Sequence, residues 1–402
     1  MTTIGPETAA DLFFQINWSS GQAIHTEAFS GMSVNFWRDI MPRRLYDSLM
    51  GSQTGDQIQL QLSSTDLLPQ ETPPGPVTIK RMQFDAARVM NAPLQPRIGR
   101  FYPKGVLKDI TGVYKANVEP FRCVNINNGN LSVELGHPLS GKDVEVQVTT
   151  GSIRSKMMER GGTMRHWGEM ITEGVGMQAR WSGVPTDFFS DSPFRRNDES
   201  ADTLFYERPR LVQHIDDAAI GMVKQIYARF IEKDMRVLDL MSSWQSHMPS
   251  SVELFQLTGL GLNETELKKN PDLSDHLVRD LNARPDLPFL EGAYDAVVCN
   301  ASIEYLIHPR EIFKEVARVL APGGPFVVTF SNRWFEPKAI RLWSQLHEFE
   351  RMGLVLEYFQ LDGLFRDLHT YSVRGLERPL HDKYHGQIPF ADPVYAVWGR
   401  RA

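Results

Sequence analysis

The chain is almost free of cysteine: its 402 residues include only Cys123 and Cys299, far apart in sequence. No disulfide framework and no cysteine-built zinc site can be assembled from that pair, and a reducing compartment is expected. An excess of basic charge is also lacking. Lys and Arg total 43 against 49 Asp and Glu, a net charge of −6, which argues against general binding to a phosphate backbone. Nowhere do 18 apolar residues run together, so no membrane-spanning helix is expected. The opening MTTIGPETAADLFFQINWSS has neither a basic start nor a long apolar stretch, so it does not read as a secretory leader. The cytoplasm is the expected location, with no membrane and no nucleic-acid partner. Internal repeats and low-complexity tracts are absent, and nothing in the sequence indicates an oligomeric state.

What is present is ordinary globular usage: 42% hydrophobic and 23% charged residues. At about 150 residues per domain the length corresponds to two or three domains. The texture changes near residue 150. Before it, short apolar stretches (Leu12 to Trp18, Gln57 to Leu62, Val144 to Val148) alternate with turn signals at Ser20-Gly21, Asn128-Gly129 and Ser140-Gly141, a mainly β pattern. PQETPPGP (69–76) is a loop, because proline forbids regular helix and central strand there. Residues 151–205 are rich in Gly, Ser and Arg and read as a connector, with Met157 and Met158 as gap-filling or core residues.

From Tyr206 the pattern becomes α/β. Ile215, Ala219, Met222, Ile226 and Phe230 recur at helical spacing. RVLDL (236–240), LFQLTGLGL, YDAVVC and PFVVTF read as buried strands. EIFKEVARVL (311–320) is an amphipathic helix that turns Ile312, Phe313, Val316, Val319 and Leu320 inward and stops at Ala321-Pro322-Gly323-Gly324. Strands alternating with helices predict a doubly wound parallel sheet, with ligands at the carboxyl ends of its strands.

VLDLMSSW, LTGLGLNETEL, RDLNARPDLPFLEGAYDAVVCNASIEYL and LAPGGPFVVTF, in that order, resemble the signposts of class I S-adenosylmethionine-dependent methyltransferases. The resemblance covers about residues 206–402 and implies a Rossmann-like sheet with S-adenosylmethionine as cofactor. On it, Asp239 faces the cationic methionine end. Met241, Ser242 and Ser243 stand where glycines are usual. Gly261 stands where the family places a ribose-binding acid, so Asn263 or Glu264 would substitute from the next turn. Asp280 and Leu281 would meet the adenine, and Cys299, Asn300 and the residues to Ser302 would line the pocket floor. Asp295 reads as structural. His247, just past the first strand, is the candidate acceptor contact or base. His214 (with Asp216) from the preceding helix, and Arg333 (with Trp334) after the fifth strand, face the same rim. No metal site is expected.

A second resemblance lies earlier. LGHPLSGKDVEVQV (135–148), RFYPKGVL (100–107) and LYDSLMGSQTGDQIQLQL (45–62) resemble FKBP-type peptidyl-prolyl isomerases that carry a chaperone insert in the flap. This implies an FKBP-like domain over 1–150. Its proline cup is altered, with His25 where an acid is usual, Val146 where an aromatic is usual, and Trp18, Phe36 and Trp37 available for the core. The expected function is methyl transfer to an unidentified small acceptor, with a thiol or sulfide as a candidate. The alternatives are an isomerase or chaperone with a degenerate methyltransferase domain, and a protein methyltransferase whose first domain captures the polypeptide.

Overall fold

The computed structural model describes residues 2–68, 75–90, 94–155 and 162–402. The expected loop at 69–76 falls for the most part, and Met157 and Met158 fall wholly, outside the described residues. The chain divides into two compact units. One comprises 1–22, 31–191 and 346–354; the other comprises 23–30, 192–345 and 355–402. The segment expected as a connector is therefore not a separate piece: residues to Asp191 belong to the first unit and those from Ser192 to the second.

The first unit is β-rich. Its strands are β1 (Thr8–Ser19), the end of β2 (Ile24–Asn35), β3 (Gln57–Ser63), β4 (Val77–Lys80), β5 (Phe101–Pro103), β6 (Pro120–Asn127), β7 (Asn130–Glu134) and β8 (Asp143–Ser155). β8 pairs antiparallel with β1 on one side and β3 on the other. Leu12, Phe14, Ile16 and Trp18 alternate along β1 and are all buried, as period-2 patterning requires. Between β3 and β8, an insert forms its own antiparallel sheet in the order β4-β7-β6-β5. Phe84, Tyr102, Phe121, Leu131 and Val133 give it a core of its own. The Asn128-Gly129 turn joins β6 to β7 with φ 45° and 78°, the paired positive values that a two-residue hairpin of this type needs.

The second unit is built on β9 (Arg236–Leu240), β10 (Gln256–Gly261), β11 (Asp275–Val278), β12 (Ala296–Asn300), β13 (Pro325–Phe330), β14 (Phe365–Arg374) and β15 (Val394–Arg401). The order is β11-β10-β9-β12-β13-β15-β14. The first five strands are parallel, β15 is antiparallel to both its neighbours, and Ile24–Phe29 of β2 runs parallel to β14. The helix Asp217–Tyr227 packs Ala219, Val223, Ile226 and Tyr227 against Val237, Leu257, Val298 and Val327. The helix Pro309–Val319 buries Ile312, Phe313 and Val316, and the Phe313 ring meets Phe326 and Phe359 at 5.1 and 4.9 Å. Thus the C-terminal half is a parallel Rossmann-like sheet. It departs from regular alternation in two of these crossings: residues 241–255 between β9 and β10, and residues 279–295 between β11 and β12, form no helix.

Candidate cofactor site

β9 lies at the switch point of the sheet, with β10 and β11 on one side and β12 and β13 on the other. The carboxyl ends of β9, β10, β11 and β12 open onto one cavity. Its lining includes Asp239, Met241, Ser242, Ser243, His247, Asn263, Asp280, Leu281 and Asn300.

Asp239 is fully buried. Its Oδ2 accepts hydrogen bonds from the Ser242 and Ser246 hydroxyls at 2.5 and 2.6 Å. Loss of hydration outweighs these bonds and pushes its pKa up to about 7. The amide of Asn270 donates to Ser246 Oγ at 2.8 Å and to the Ser243 carbonyl at 2.9 Å, fixing the turn. Met241 adopts φ 59°, the left-handed conformation that explains why glycine is usual there. Gly261 cannot be the acid of the family pattern for a local reason: a Cβ there would collide with the Ser242 carbonyl oxygen.

The two expected substitutes for that acid divide. Asn263 lines the cavity, but its side chain caps the helix Glu264–Lys269, accepting from Glu266 N at 3.1 Å and donating to the Tyr206 carbonyl at 2.8 Å. Glu264 is exposed and pairs with Lys268 at 2.6 Å, outside the cavity, so it is not a cofactor group. The carboxylate that does line the cavity there is Glu266. Its Oε2 accepts from Ser243 Oγ and its Oε1 from the Arg210 main-chain N–H, both at 2.6 Å. Asp280 accepts from the Asn282 and Ala283 main-chain N–H groups at 2.9 and 3.1 Å, which holds its carboxylate at the rim.

Cys299 is not on the floor. β-strand alternation turns it into the core, wholly buried, with its thiol pKa well above normal through loss of hydration, while Asn300, Ala301 and Ser302 line the cavity. His247 lines the cavity, is nearly buried at φ 54°, and its Nδ1 has no hydrogen-bond partner. Burial lowers its pKa to about 4, so the ring is neutral. His214 also lines the cavity, but from the loop before the helix, which starts only at Asp217; Asp216 is its N-cap, accepting from Ala219 N at 2.9 Å. Arg333 belongs to a second cavity, where it pairs with Asp392 at 3.1 Å; that cavity shares Val212 to Ile215 with the first. Asp295 pairs with Arg236 at 2.8 Å and is structural.

Residues 246–328 match the model of the methyltransferase domain family. The C-terminal half carries a class I S-adenosylmethionine-dependent methyltransferase domain. S-Adenosylmethionine is the methyl donor of this domain family. No curated protein matches the chain. Among solved structures, a chain from a Haloferax volcanii complex of the Trm112 methyltransferase activator with a proposed methyltransferase is 19% identical; the match covers 46% of this chain and 91% of that one, with TM-score 0.35. An S-adenosylmethionine-dependent methyltransferase from Mesorhizobium loti is 15% identical over 46% and 99%, TM-score 0.32. Geranyl diphosphate C-methyltransferase from Streptomyces coelicolor A3(2) is 14% identical over 50% and 97%, TM-score 0.31.

The methyltransferase cavity passes a simple test of fit. His247 Nδ1, Arg210 Nη1 and Arg279 Nε are buried polar atoms without a partner, and all three residues line it. His247, Arg210 and Arg279 thus bring to the cavity lining hydrogen-bonding capacity that the protein itself leaves unused. Tyr206, Arg210, Glu266, Arg279 and Phe335 were not signalled by the sequence. Tyr206 and Arg210 precede the first quoted motif and Phe335 follows the last, while Glu266 and Arg279 lie inside quoted motifs at positions to which the resemblance gives no role. Among the described residues no cluster of His, Cys, Asp and Glu could hold a metal ion. No helix among them is long and apolar enough to cross a membrane.

Proposed function

We propose that the second unit transfers a methyl group from S-adenosylmethionine to a small acceptor held against the aromatic and histidine side of the cavity. The observation that carries this is the convergence of Asp239, Asp280 and Leu281 with the orphaned His247 on one switch-point cavity. When bound, the sulfonium supplies an electrophilic methyl group for in-line displacement, which asks the protein for alignment and desolvation more than for acid–base help. Asp239 and Asp280 bind the two ends of the nucleoside, one carboxylate toward the amino-acid ammonium and one toward the adenine amine. Leu281 covers the ring. Ser242 and Ser243 replace a glycine turn with hydroxyls that anchor Asp239 and Glu266. His247 stays neutral and accepts a hydrogen bond from the acceptor's nucleophilic group, orienting it. A small thiol or sulfide meets these needs because it asks for little recognition surface. Calorimetric titration with S-adenosylhomocysteine tests the cofactor; absence of heat at high protein concentration counts against it. Methyl-labelled cofactor with a panel of thiols, amines and oxyanions, volatile products trapped, tests the acceptor.

A second reading gives the first unit a polypeptide-capturing role, as in FKBP-like proteins with a flap insert. The element order β1, β2, helix, β3, insert, β8 favours it, as do Met82, Tyr114 and Val118, which the insert leaves 79, 64 and 81% exposed. His25 does not serve a proline cup: it is wholly buried, with Nδ1 2.8 Å from Thr370 Oγ1. Replacing Met82, Tyr114 and Val118 by serine in the full chain should abolish retention of an unfolded polypeptide. Unchanged turnover on a small acceptor in that variant would separate the two readings.

A further inference from the structure

The loop that joins β14 to β15 (375–393) lines the second cavity and is tied down by one arginine. Arg378 is buried and spends its whole guanidinium. Nη1 donates to Asp216 Oδ2 and Asp382 Oδ1, both at 3.2 Å, Nη2 to Asp392 Oδ1 at 2.8 Å, and Nε to the Phe390 carbonyl at 3.0 Å. The acids it meets are spent as well. Asp216 and Asp392 each accept the other's main-chain N–H, at 2.6 and 3.1 Å, and Asp382 accepts from Tyr384 N at 2.8 Å. Asp217, the fourth acid lining this cavity, pairs with His381 at 2.6 Å. The charged groups left over are cations. Arg333 donates through Nε to Asp392 at 3.1 Å, but its Nη1 and Nη2 make no hydrogen bond to the described residues and are not buried. Lys383 is exposed, and its Nζ makes none either. One ring carries both: Arg333 Cζ stands 5.2 Å and Lys383 Nζ 4.9 Å from the Tyr384 centroid.

We propose that this second cavity, of about 430 Å³, binds a monocarboxylate, received by Nη1 and Nη2 of Arg333 with Lys383 beside it. Its free charged groups are donors only, which selects a ligand group that accepts. The terminal nitrogens of a guanidinium match the two oxygens of a planar carboxylate, and the Tyr384 ring fixes the plane of the fork. Four aspartates line the cavity with Arg333, Arg378 and Lys383, so it lacks the excess positive charge that a phosphate dianion needs. What it offers is directed bonds to a single charge. Val212 to Ile215 line both this cavity and the cofactor cavity, so a ligand anchored at Arg333 lies next to the site of the methyl donor. Two sources share the chemistry. One is a carboxylate carried by the methyl acceptor, whose thiol or sulfide end enters the cofactor cavity. The other is a free carboxylate that stays in the second cavity. Only the first rests on the proposed function.

The test uses the full chain, wild type and with Arg333→Gln, Arg333→Lys and Lys383→Gln, each checked for folding by urea unfolding. Hexanoate and hexanol are titrated in the calorimeter. Hexanoate binds wild type and hexanol does not. Arg333→Gln weakens hexanoate by about 10- to 100-fold, and Arg333→Lys recovers part of the loss. Lys383→Gln, at an exposed side chain, weakens it by about two- to fivefold and decides the matter alone if Arg333→Gln unfolds. Hexanoate also binds protein saturated with S-adenosylhomocysteine. Absence of hexanoate binding to wild type, equal binding of hexanol, no effect of the substitutions, or displacement of hexanoate by S-adenosylhomocysteine overturns the proposal. Methyl transfer from labelled S-adenosylmethionine to mercaptohexanoate and mercaptohexanol separates the sources. If the acceptor carries the carboxylate, kcat/KM in wild type favours mercaptohexanoate by about tenfold or more, and Arg333→Gln removes the preference. If the ligand is a free carboxylate, wild type shows no preference while hexanoate binding stands. Absence of turnover on both thiols would instead count against the thiol reading, and the hexanoate titrations would still decide the second cavity.

Discussion

Asp239→Asn isolates the most perturbed carboxyl of the cavity. Burial carries this group from its usual 3.8 to about 7, despite the opposing Ser242 and Ser246 hydroxyls. That is about three pH units, and at 1.36 kcal/mol per unit it amounts to about 4 kcal/mol. The sign follows from proton linkage. Between pH 4 and 7 the unfolded chain has lost this proton while the native chain keeps it. Stability is therefore fully present below the unfolded value, falls by up to about 1.4 kcal/mol per unit as pH rises, and levels off above the native value. An asparagine amide at this position cannot ionise, so this slope disappears in the variant. Urea unfolding of both proteins from pH 4 to 8 reads the effect as a stability difference that grows in favour of the variant by about 4 kcal/mol. Ligand binding has the opposite sign. An ammonium beside Asp239 favours the ionised form, so wild-type affinity for S-adenosylhomocysteine should rise up to about tenfold per unit between pH 5 and 7, and flatten in Asp239→Asn. Parallel stability curves, with a pH-independent offset between the two proteins, would refute the reasoning.

Other outcomes follow from single contacts. Gly261→Ala drives a methyl group into the Ser242 carbonyl and should cost about 1–3 kcal/mol, read by thermal or urea unfolding; a neutral effect would mean the β9 turn can move. The His247 ring should stay neutral down to about pH 5, with its NMR titration centred near pH 4, and a midpoint between 6 and 7 would contradict the buried, unpartnered geometry. Neither thiol should react with a disulfide reagent in the native protein. Both are buried, with Cys123 pushed up to about 11 and Cys299 well above normal, so two equivalents should appear only on unfolding.

The parts legible in the sequence are those governed by periodicity. RVLDL, YDAVVC and PFVVTF are strands because apolar runs of that length, bounded by turn residues, fill the middle of a sheet covered on both faces. The helix Pro309–Val319 is legible because its apolar stripe repeats at 3.6 residues and has proline at its start. The short β11, Asp275–Val278, carries only two apolar residues and gave no such signal. Local chemistry decided the rest. Whether Cys299 faces the cavity depends on one residue of register: its neighbour Asn300 lines the cavity and Cys299 faces the core.

The ribose acid shows best why a motif alone falls short. A carboxylate at Gly261 is excluded by the path of the Ser242 backbone, which is itself set by Met241 in the left-handed region and by the missing helix between β9 and β10. The helix that follows β10 then brings a carboxylate to the cavity from Glu266. The nearer Glu264 points to solvent and pairs with Lys268, since residues two apart on a helix do not share a face. Ser242 and Ser243 are the donors that hold both carboxylates, Ser242 on Asp239 and Ser243 on Glu266. Departures from the pattern at 241–243 and at 261 are therefore linked in the structure: the Ser242 carbonyl fills the space a side chain at 261 would need, and the neighbouring hydroxyls hold the two carboxylates.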